Sequence, residues 1–163
     1  MAWREPLFLT NDDGIEAAGL HRLIQILHER GHPLAVLAPA QQQSASGMRL
    51  SLKSELEFIE RNDLVTTLEL DRNGPPVSIY SLDGTPCDCT IVAIDQGFES
   101  WAPMIRPQMC ISGINFGPNI SIDVIHSGTV SAAREAALYG MPAIALSLGT
   151  YLHEDFSVGT EAI

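Results

Sequence analysis

The sequence predicts an α/β fold built on a mainly parallel sheet. Three observations carry that expectation. A short apolar run, Leu7 to Leu9, ends in Thr10-Asn11-Asp12-Asp13-Gly14 and passes at once into an amphipathic stretch. A second apolar run, Pro33 to Pro39, follows within the span of one βαβ unit, whose crossover is right-handed. The alternation then returns downstream, where Gln108–Ser112, Thr129–Tyr139 and Met141–Ser147 read as strand, helix and strand.

Each element has a local cause. Ile15 to Arg30 carries Leu20, Leu23, Ile24 and Leu27 at helical spacing, and Gly31 closes it. Pro39 stops the second strand, and Ala40 to Met48 is polar, small and without periodicity. Residues 49–82 read as a β-rich excursion rather than a further βαβ unit. Their apolar positions fall in short pieces broken by Arg61-Asn62-Asp63 and by the turn-forming run Asp71 to Pro76. Helical character resumes at Thr85, an N-cap with Pro86 in the first helical position, and continues over Cys87–Gln96. Beyond the strand at 108–112 comes a Gly-rich loop from Gly113 to Gly128. The Ala-rich helix Thr129–Tyr139 follows, ended by Gly140. Residues 148–163 are polar and begin what reads as another helix.

Composition narrows the function. The 163 residues suit one domain with a real core, and 45% hydrophobic with 18% charged residues is ordinary for a soluble globular chain. Nine Lys and Arg against twenty Asp and Glu give a net charge of −11. That argues against binding a nucleic-acid backbone, which needs basic side chains to neutralise phosphates. A small phosphorylated ligand stays open, because a metal and helix N-termini supply local positive potential. No apolar run is long enough to cross a bilayer and no secretory leader pattern stands at the N-terminus. Cys87 and Cys89 are too close for an ordinary disulfide, and with Cys110 they complete no zinc set. Reduced thiols in a cytoplasmic protein are expected.

Ligands of open parallel sheets bind beyond the carboxyl ends of the strands. Four features fall there: Asp12 with Asp13, the Ser44 loop, Asn115, and the Ser127-Gly128-Thr129 turn. Adjacent carboxylates repel unless a cation lies between them. Two carboxylates, a hydroxyl and an amide oxygen are hard donors that suit Mg2+ or Mn2+. Beside them the helix starting near Thr129 offers free N–H groups and a dipole to a phosphate. Metal plus anion cradle is what phosphoryl chemistry needs.

Six blocks in order carry a resemblance. They are Thr10-Asn11-Asp12-Asp13-Gly14-Ile15, Ala38-Pro39 with Gln43-Ser44-Ala45-Ser46, Gly84-Thr85-Pro86-Cys87-Asp88-Cys89, Ser112 to Asn119, Ser127-Gly128-Thr129-Val130 and Pro142 to Ser147. Together they resemble the SurE (survival protein E) family of 5′/3′-nucleotidases. The resemblance implies a Rossmann-like, three-layer αβα domain over residues 1–163. It also implies metal-dependent hydrolysis of nucleoside 5′- and 3′-monophosphates to nucleoside and phosphate. It puts the metal on Asp12, Asp13, Ser44 and Asn115, and the phosphate on Asn119, Ser127, Gly128 and Thr129. Asp12 is the residue expected to orient the attacking water.

This sequence departs from the family pattern at Ala18, where Pro is usual, and at His126, where Tyr is common. The resemblance also implies a C-terminal region, bearing a hairpin and much of a dimer or tetramer contact, which is not found after Ser147 here. Two rivals follow. One is a phosphate- or nucleotide-binding module without turnover. The other is an enzyme with an aspartyl-phosphate intermediate, though its usual Asp-x-Asp-x-Thr run is absent. A dinucleotide oxidoreductase is a weaker third reading, since no Gly-x-Gly-x-x-Gly follows the first strand.

Overall fold

The computed structural model describes residues 3–52 and 55–151. Its centre is a six-stranded sheet of β1 (Leu7–Thr10), β2 (Leu34–Pro39), β3 (Phe58–Glu60), β4 (Val77–Leu82), β5 (Met109–Asn115) and β6 (Ala143–Ser147), in the order β3-β4-β2-β1-β5-β6. Five strands are mutually parallel, and β3 alone runs antiparallel against β4. The helices are α1 (Ala18–Glu29), α2 (Asn62–Thr67), α3 (Pro86–Asp95), α4 (Phe98–Trp101), α5 (Asp123–His126) and α6 (Gly128–Leu138).

Side-chain alternation along the central strands builds a core on each face. Leu7 and Leu9 of β1, with Leu34, Val36 and Ala38 of β2, pack with Leu20, Leu23, Ile24 and Leu27 of α1 and Leu64 of α2. Phe8, Ala35 and Leu37 point the other way, into Cys89 and Ala93 of α3, Trp101 of α4 and Ala136 of α6. A strand buried on both faces has to be apolar at every position, which is why β1 and β2 read as continuous hydrophobic runs. The result is the three-layer αβα arrangement, with α1 and α2 on one side and α3, α4 and α6 on the other.

Two expectations are refined. The excursion at 49–82 does give strands, but β4 pairs in parallel with β2 over six residues, so the chain returns to the main sheet. The β2–β4 connection therefore closes a parallel crossover, and it contains the short helix α2, which Asn62-Asp63 had marked only as a break. The strand expected over 108–112 runs on to Asn115, because Ser112, Gly113 and Ile114 stay buried between β1 and β6. Gly113 is required there: at φ +134 a Cβ would lie 2.4 Å from the Leu146 carbonyl oxygen.

The N-cap at Thr85 stands as expected and is reciprocal, its side chain accepting from the Asp88 N–H while the Asp88 carboxylate accepts from the Thr85 N–H. Cys87, Cys89 and Cys110 are free and buried, and burial pushes the thiols of Cys87 and Cys110 up to about 12. Among the described residues no helix is long and apolar enough to cross a membrane. The helix expected within 148–163 lies for the most part outside the described residues.

Candidate active site

Chain direction changes at β1. Its neighbour on one side is β2, next in sequence, and on the other β5, reached only after the sheet's far edge is built. Loops leaving β1 and β5 diverge at such a point and leave a crevice at the strands' carboxyl ends. Asp12 and Asp13 leave β1, and Asn115 ends β5.

The β1 turn is held locally. Asn11 Nδ2 donates to the Gly14 carbonyl at 2.8 Å, and the Gly14 N–H returns a bond to Asn11 Oδ1 at 3.2 Å. Gly14 sits at φ +97, with an added Cβ 3.2 Å from the backbone of Gln41 and Gln42. The turn thus locks against the loop that carries Ser44, and the Gln43 N–H donates to the Asp12 carbonyl at 2.7 Å.

A cleft of about 400 Å³ opens over this turn. Asp12, Asp13, Ser44, Asn115, Asn119 and Ser127 all line it, so six of the eight residues singled out by the sequence meet at one opening. Gly128 and Thr129 lie just behind its wall. A Cβ on Gly128 would stand 2.7 Å from the Asp12 Cβ and 2.6 Å from Ser46 Oγ. Thr129 is fully buried, and its hydroxyl donates a hydrogen bond to Asp12 Oδ1 and stands 3.3 Å from Asn115 Oδ1.

The Thr129 side chain is therefore directed at the protein's own carboxylate rather than at the open cleft. Ser127 is likewise engaged, its Oγ accepting from the Val130 N–H at 3.1 Å as the α6 N-cap. Asn119 Nδ2 donates to Ser147 Oγ at 2.8 Å and Asn115 Nδ2 to the Gly117 carbonyl at 2.7 Å. Both amides are thereby oriented, and Asn115 presents its oxygen toward Thr129.

Electrostatics set this corner apart. Burial pushes the Asp12 carboxyl above its ordinary range; bonds from Thr129 oppose this, and the neighbouring charge of Asp13 adds to it. Burial also raises Asp13, against bonds from the Phe116 N–H at 2.8 Å and Gln42 Nε2 at 3.3 Å. Among the described residues neither carboxylate makes an ion pair. Nor do three His, Cys, Asp or Glu side chains converge anywhere among them. A metal at this place would have two carboxylates, neutral oxygens and water as its donors. That donor set fits Mg2+ or Mn2+, which take few carboxylates and keep several waters. Two raised, unpaired carboxylates are also the electrostatic condition that a cation relieves.

Sequence reasoning passed over Gln42, Phe116, Asp123 and Tyr151, which also line the cleft. Gln42 belongs to a Gln run with no distinctive pattern, and an aromatic at a loop position gives no periodic signal. His126, noted only as a departure from the family pattern, is on the cleft wall as well.

Comparison with known proteins bears on the family and the fold. The family model for survival protein SurE matches residues 7–163. The chain is 41% identical over 157 residues to a 5′-nucleotidase SurE of Desulfitobacterium hafniense, covering 96% of this chain and 56% of that protein. It is 39% identical over 150 residues to the 5′-nucleotidase SurE of Carboxydothermus hydrogenoformans, covering 91% and 52%. The crystal structure of SurE protein from Aquifex aeolicus superposes with a TM-score of 0.76 at 28% identity, covering 96% of this chain and 56% of that one. The chain spans about half the length of the relatives it matches. With nearly all of its residues inside the family model, and the αβα fold shared with a solved member, the chain belongs to the SurE family.

Proposed function

We propose that this chain carries the active site of a metal-dependent phosphomonoesterase that hydrolyses nucleoside 5′- and 3′-monophosphates to nucleoside and phosphate. The observation that carries the reading is the meeting of Asp12, Asp13, Ser44 and Asn115 around one cleft at the β1–β5 switch point. The relatives named 5′-nucleotidase support the substrate class.

In this reading Asp12 and Asp13 hold Mg2+ or Mn2+, and Ser44 and Asn115 complete the protein's donors. Such an ion, when bound, offsets phosphoryl charge and makes a water nucleophilic near neutral pH. Thr129 fixes the Asp12 carboxylate by its hydroxyl, so that Asp12 can orient the attacking water. The N-terminus of α6 holds the phosphoryl group from the other side. Val130's amide is committed to the Ser127 cap and Thr129 faces Asp12, which leaves the Gly128 N–H as the helix's open donor among the described residues. Asn119, steered by Ser147, contributes the remaining polar contact. Phosphate monoesters hydrolyse extremely slowly unaided, so positioning and charge neutralisation have to supply most of the barrier reduction.

The same reading makes residues 1–163 one α/β domain of a cytoplasmic protein, which three free buried thiols suit, assembled as a homodimer or tetramer. The test is phosphate release from nucleoside monophosphates with Mg2+ or Mn2+, with and without a chelator. Release that survives chelation and both Asp12→Asn and Asp13→Asn overturns the proposal. Nucleotide binding with no release at any metal concentration makes the chain a binding module instead.

A further inference from the structure

The proposed chemistry uses the carboxylates and the helix N-terminus, and it leaves one lip of the cleft unassigned. Phe116 and Tyr151 line the same opening as Asp12 and Asp13. Both are large aromatics facing solvent, 37% and 64% exposed. Their ring centroids are 6.0 Å apart and their planes meet at 76°, so the rings form a corner with one face and one edge turned to each other.

The backbone makes room for this corner. Gly117 sits at φ +102, and a Cβ there would fall 1.9 Å from Cε1 of Tyr151. Only glycine lets the Tyr151 ring lie against the chain at that point. Phe116 is tied to the reacting end of the cleft, because its N–H donates to Asp13 Oδ2 at 2.8 Å. An aromatic corner one residue's backbone away from the carboxylates is out of place in a purely polar phosphate site. Ligand clefts combine such apolar walls with a few convergent polar groups.

We propose that Phe116 and Tyr151 form the nucleobase platform of this site, an inference that rests on the nucleotidase reading above. A purine or pyrimidine lies with its face on one ring and its edge against the other, while its phosphate reaches the Asp12–Asp13 end. Stacking of this kind tolerates any base, since every base has a π-face. It gives the site a grip on nucleotides that sugar phosphates lack.

The experiment compares AMP with ribose 5-phosphate, which share the phosphate and sugar but not the base. Phe116→Leu and Tyr151→Leu keep apolar bulk and remove the ring, and Tyr151→Phe keeps the ring. Each Leu variant is expected to lower kcat/KM for AMP by about 5-fold to 100-fold, mainly through KM. Ribose 5-phosphate should be unchanged, and Tyr151→Phe should behave as the unsubstituted protein. Equal losses on both compounds, or no loss on AMP, overturns the platform while leaving the nucleotidase reading intact. If neither compound is hydrolysed, the nucleotidase reading fails. The platform is then read from calorimetric titration of the same two unreacting compounds. AMP binding no tighter than ribose 5-phosphate overturns it, and a preference for AMP abolished in the Leu variants upholds it.

Discussion

Two carboxylates with nearly the same small solvent exposure behave in opposite ways in this molecule. Asp12 is 5% exposed and Asp88 is 6% exposed. Burial alone raises both. At Asp88 it is outweighed by donors from the Thr85 N–H at 2.8 Å, the Ser51 N–H at 3.0 Å and the Ser51 hydroxyl at 2.7 Å, with the Thr85 hydroxyl 2.9 Å away; the carboxyl ends below its ordinary range. At Asp12 only Thr129 and Asp12's own backbone amide work against burial and a second carboxylate, and the carboxyl ends above its ordinary range. The contrast separates two uses of a buried charge. Asp88 is saturated by the chain and fixes structure, tying α3 to the segment after the Ser44 loop. Asp12 and Asp13 are left short of partners, the condition that the proposed cation would relieve.

Exchanging each carboxylate for an amide gives the largest effect and the sharpest test of that difference. Asp12→Asn or Asp13→Asn is expected to lower turnover by about a hundredfold to a thousandfold, as loss of a reacting-centre electrostatic group does. Their melting temperatures should hold or rise, because a buried like-charge contact is relieved, by on the order of 1 kcal/mol. Asp88→Asn should do the reverse, keeping turnover per folded molecule within a few-fold while lowering stability. Steady-state assays beside melting curves read both. A folded Asp88→Asn protein without activity, or an Asp12→Asn protein that fails to fold, breaks the comparison.

Gly128 tests how closely the Asp12 corner is built. A methyl group there would meet Ser46 Oγ at 2.6 Å and Asp12 Oδ2 at 2.9 Å. Gly128→Ala is expected to displace the carboxylate and lower kcat by about 10-fold to 100-fold, the scale of an ångström misplacement. Stability should fall by about 1–3 kcal/mol from overpacking. Unchanged kcat would mean that Asp12 has freedom that its burial denies. Metal addition gives a smaller, purely thermodynamic measure. At a hundred times its dissociation constant, Mn2+ should stabilise the protein by about 2.7 kcal/mol. Asp88→Asn should keep that gain, and the double variant Asp12→Asn/Asp13→Asn should lose it.

The contrast also marks what the sequence could tell. β1, β2, α1, α3 and α6 were legible because their apolar spacing and caps are local, and both layers of the core follow from alternation along β1 and β2. The sheet order was not, since only tertiary pairing brings β4 beside β2, and β3 is three exposed residues with no pattern of their own. Asp12 and Asp13 announced themselves as adjacent charges ending an apolar run. The work of Thr129 on Asp12 joins residues 117 positions apart, and no motif encodes it. Phe116 and Tyr151 were equally silent, because a lone loop aromatic has meaning only once the cleft it faces is known. Asp88, read as part of a matching block, gave no sign that it also holds Ser51.

The smallest effect is also the one whose sign is fixed by Asp88 alone. Its folded carboxyl lies below the unfolded value of about 3.9. Between those two values the unfolded chain binds more protons than the folded one, so stability rises with pH there. The contribution is complete above about pH 5 and drains away as pH falls through the folded value. Asp88→Asn removes the charge-assisted bonds, a loss of about 1.5–3 kcal/mol at neutral pH. Urea midpoints for both proteins at pH 7 and pH 3 read the difference. The gap should narrow as the pH drops, because the unsubstituted protein is losing the ionised acceptor that the variant never had. Equal gaps at both pH values would assign the loss to side-chain shape, and the saturated charge of Asp88 would no longer explain why α3 begins where it does.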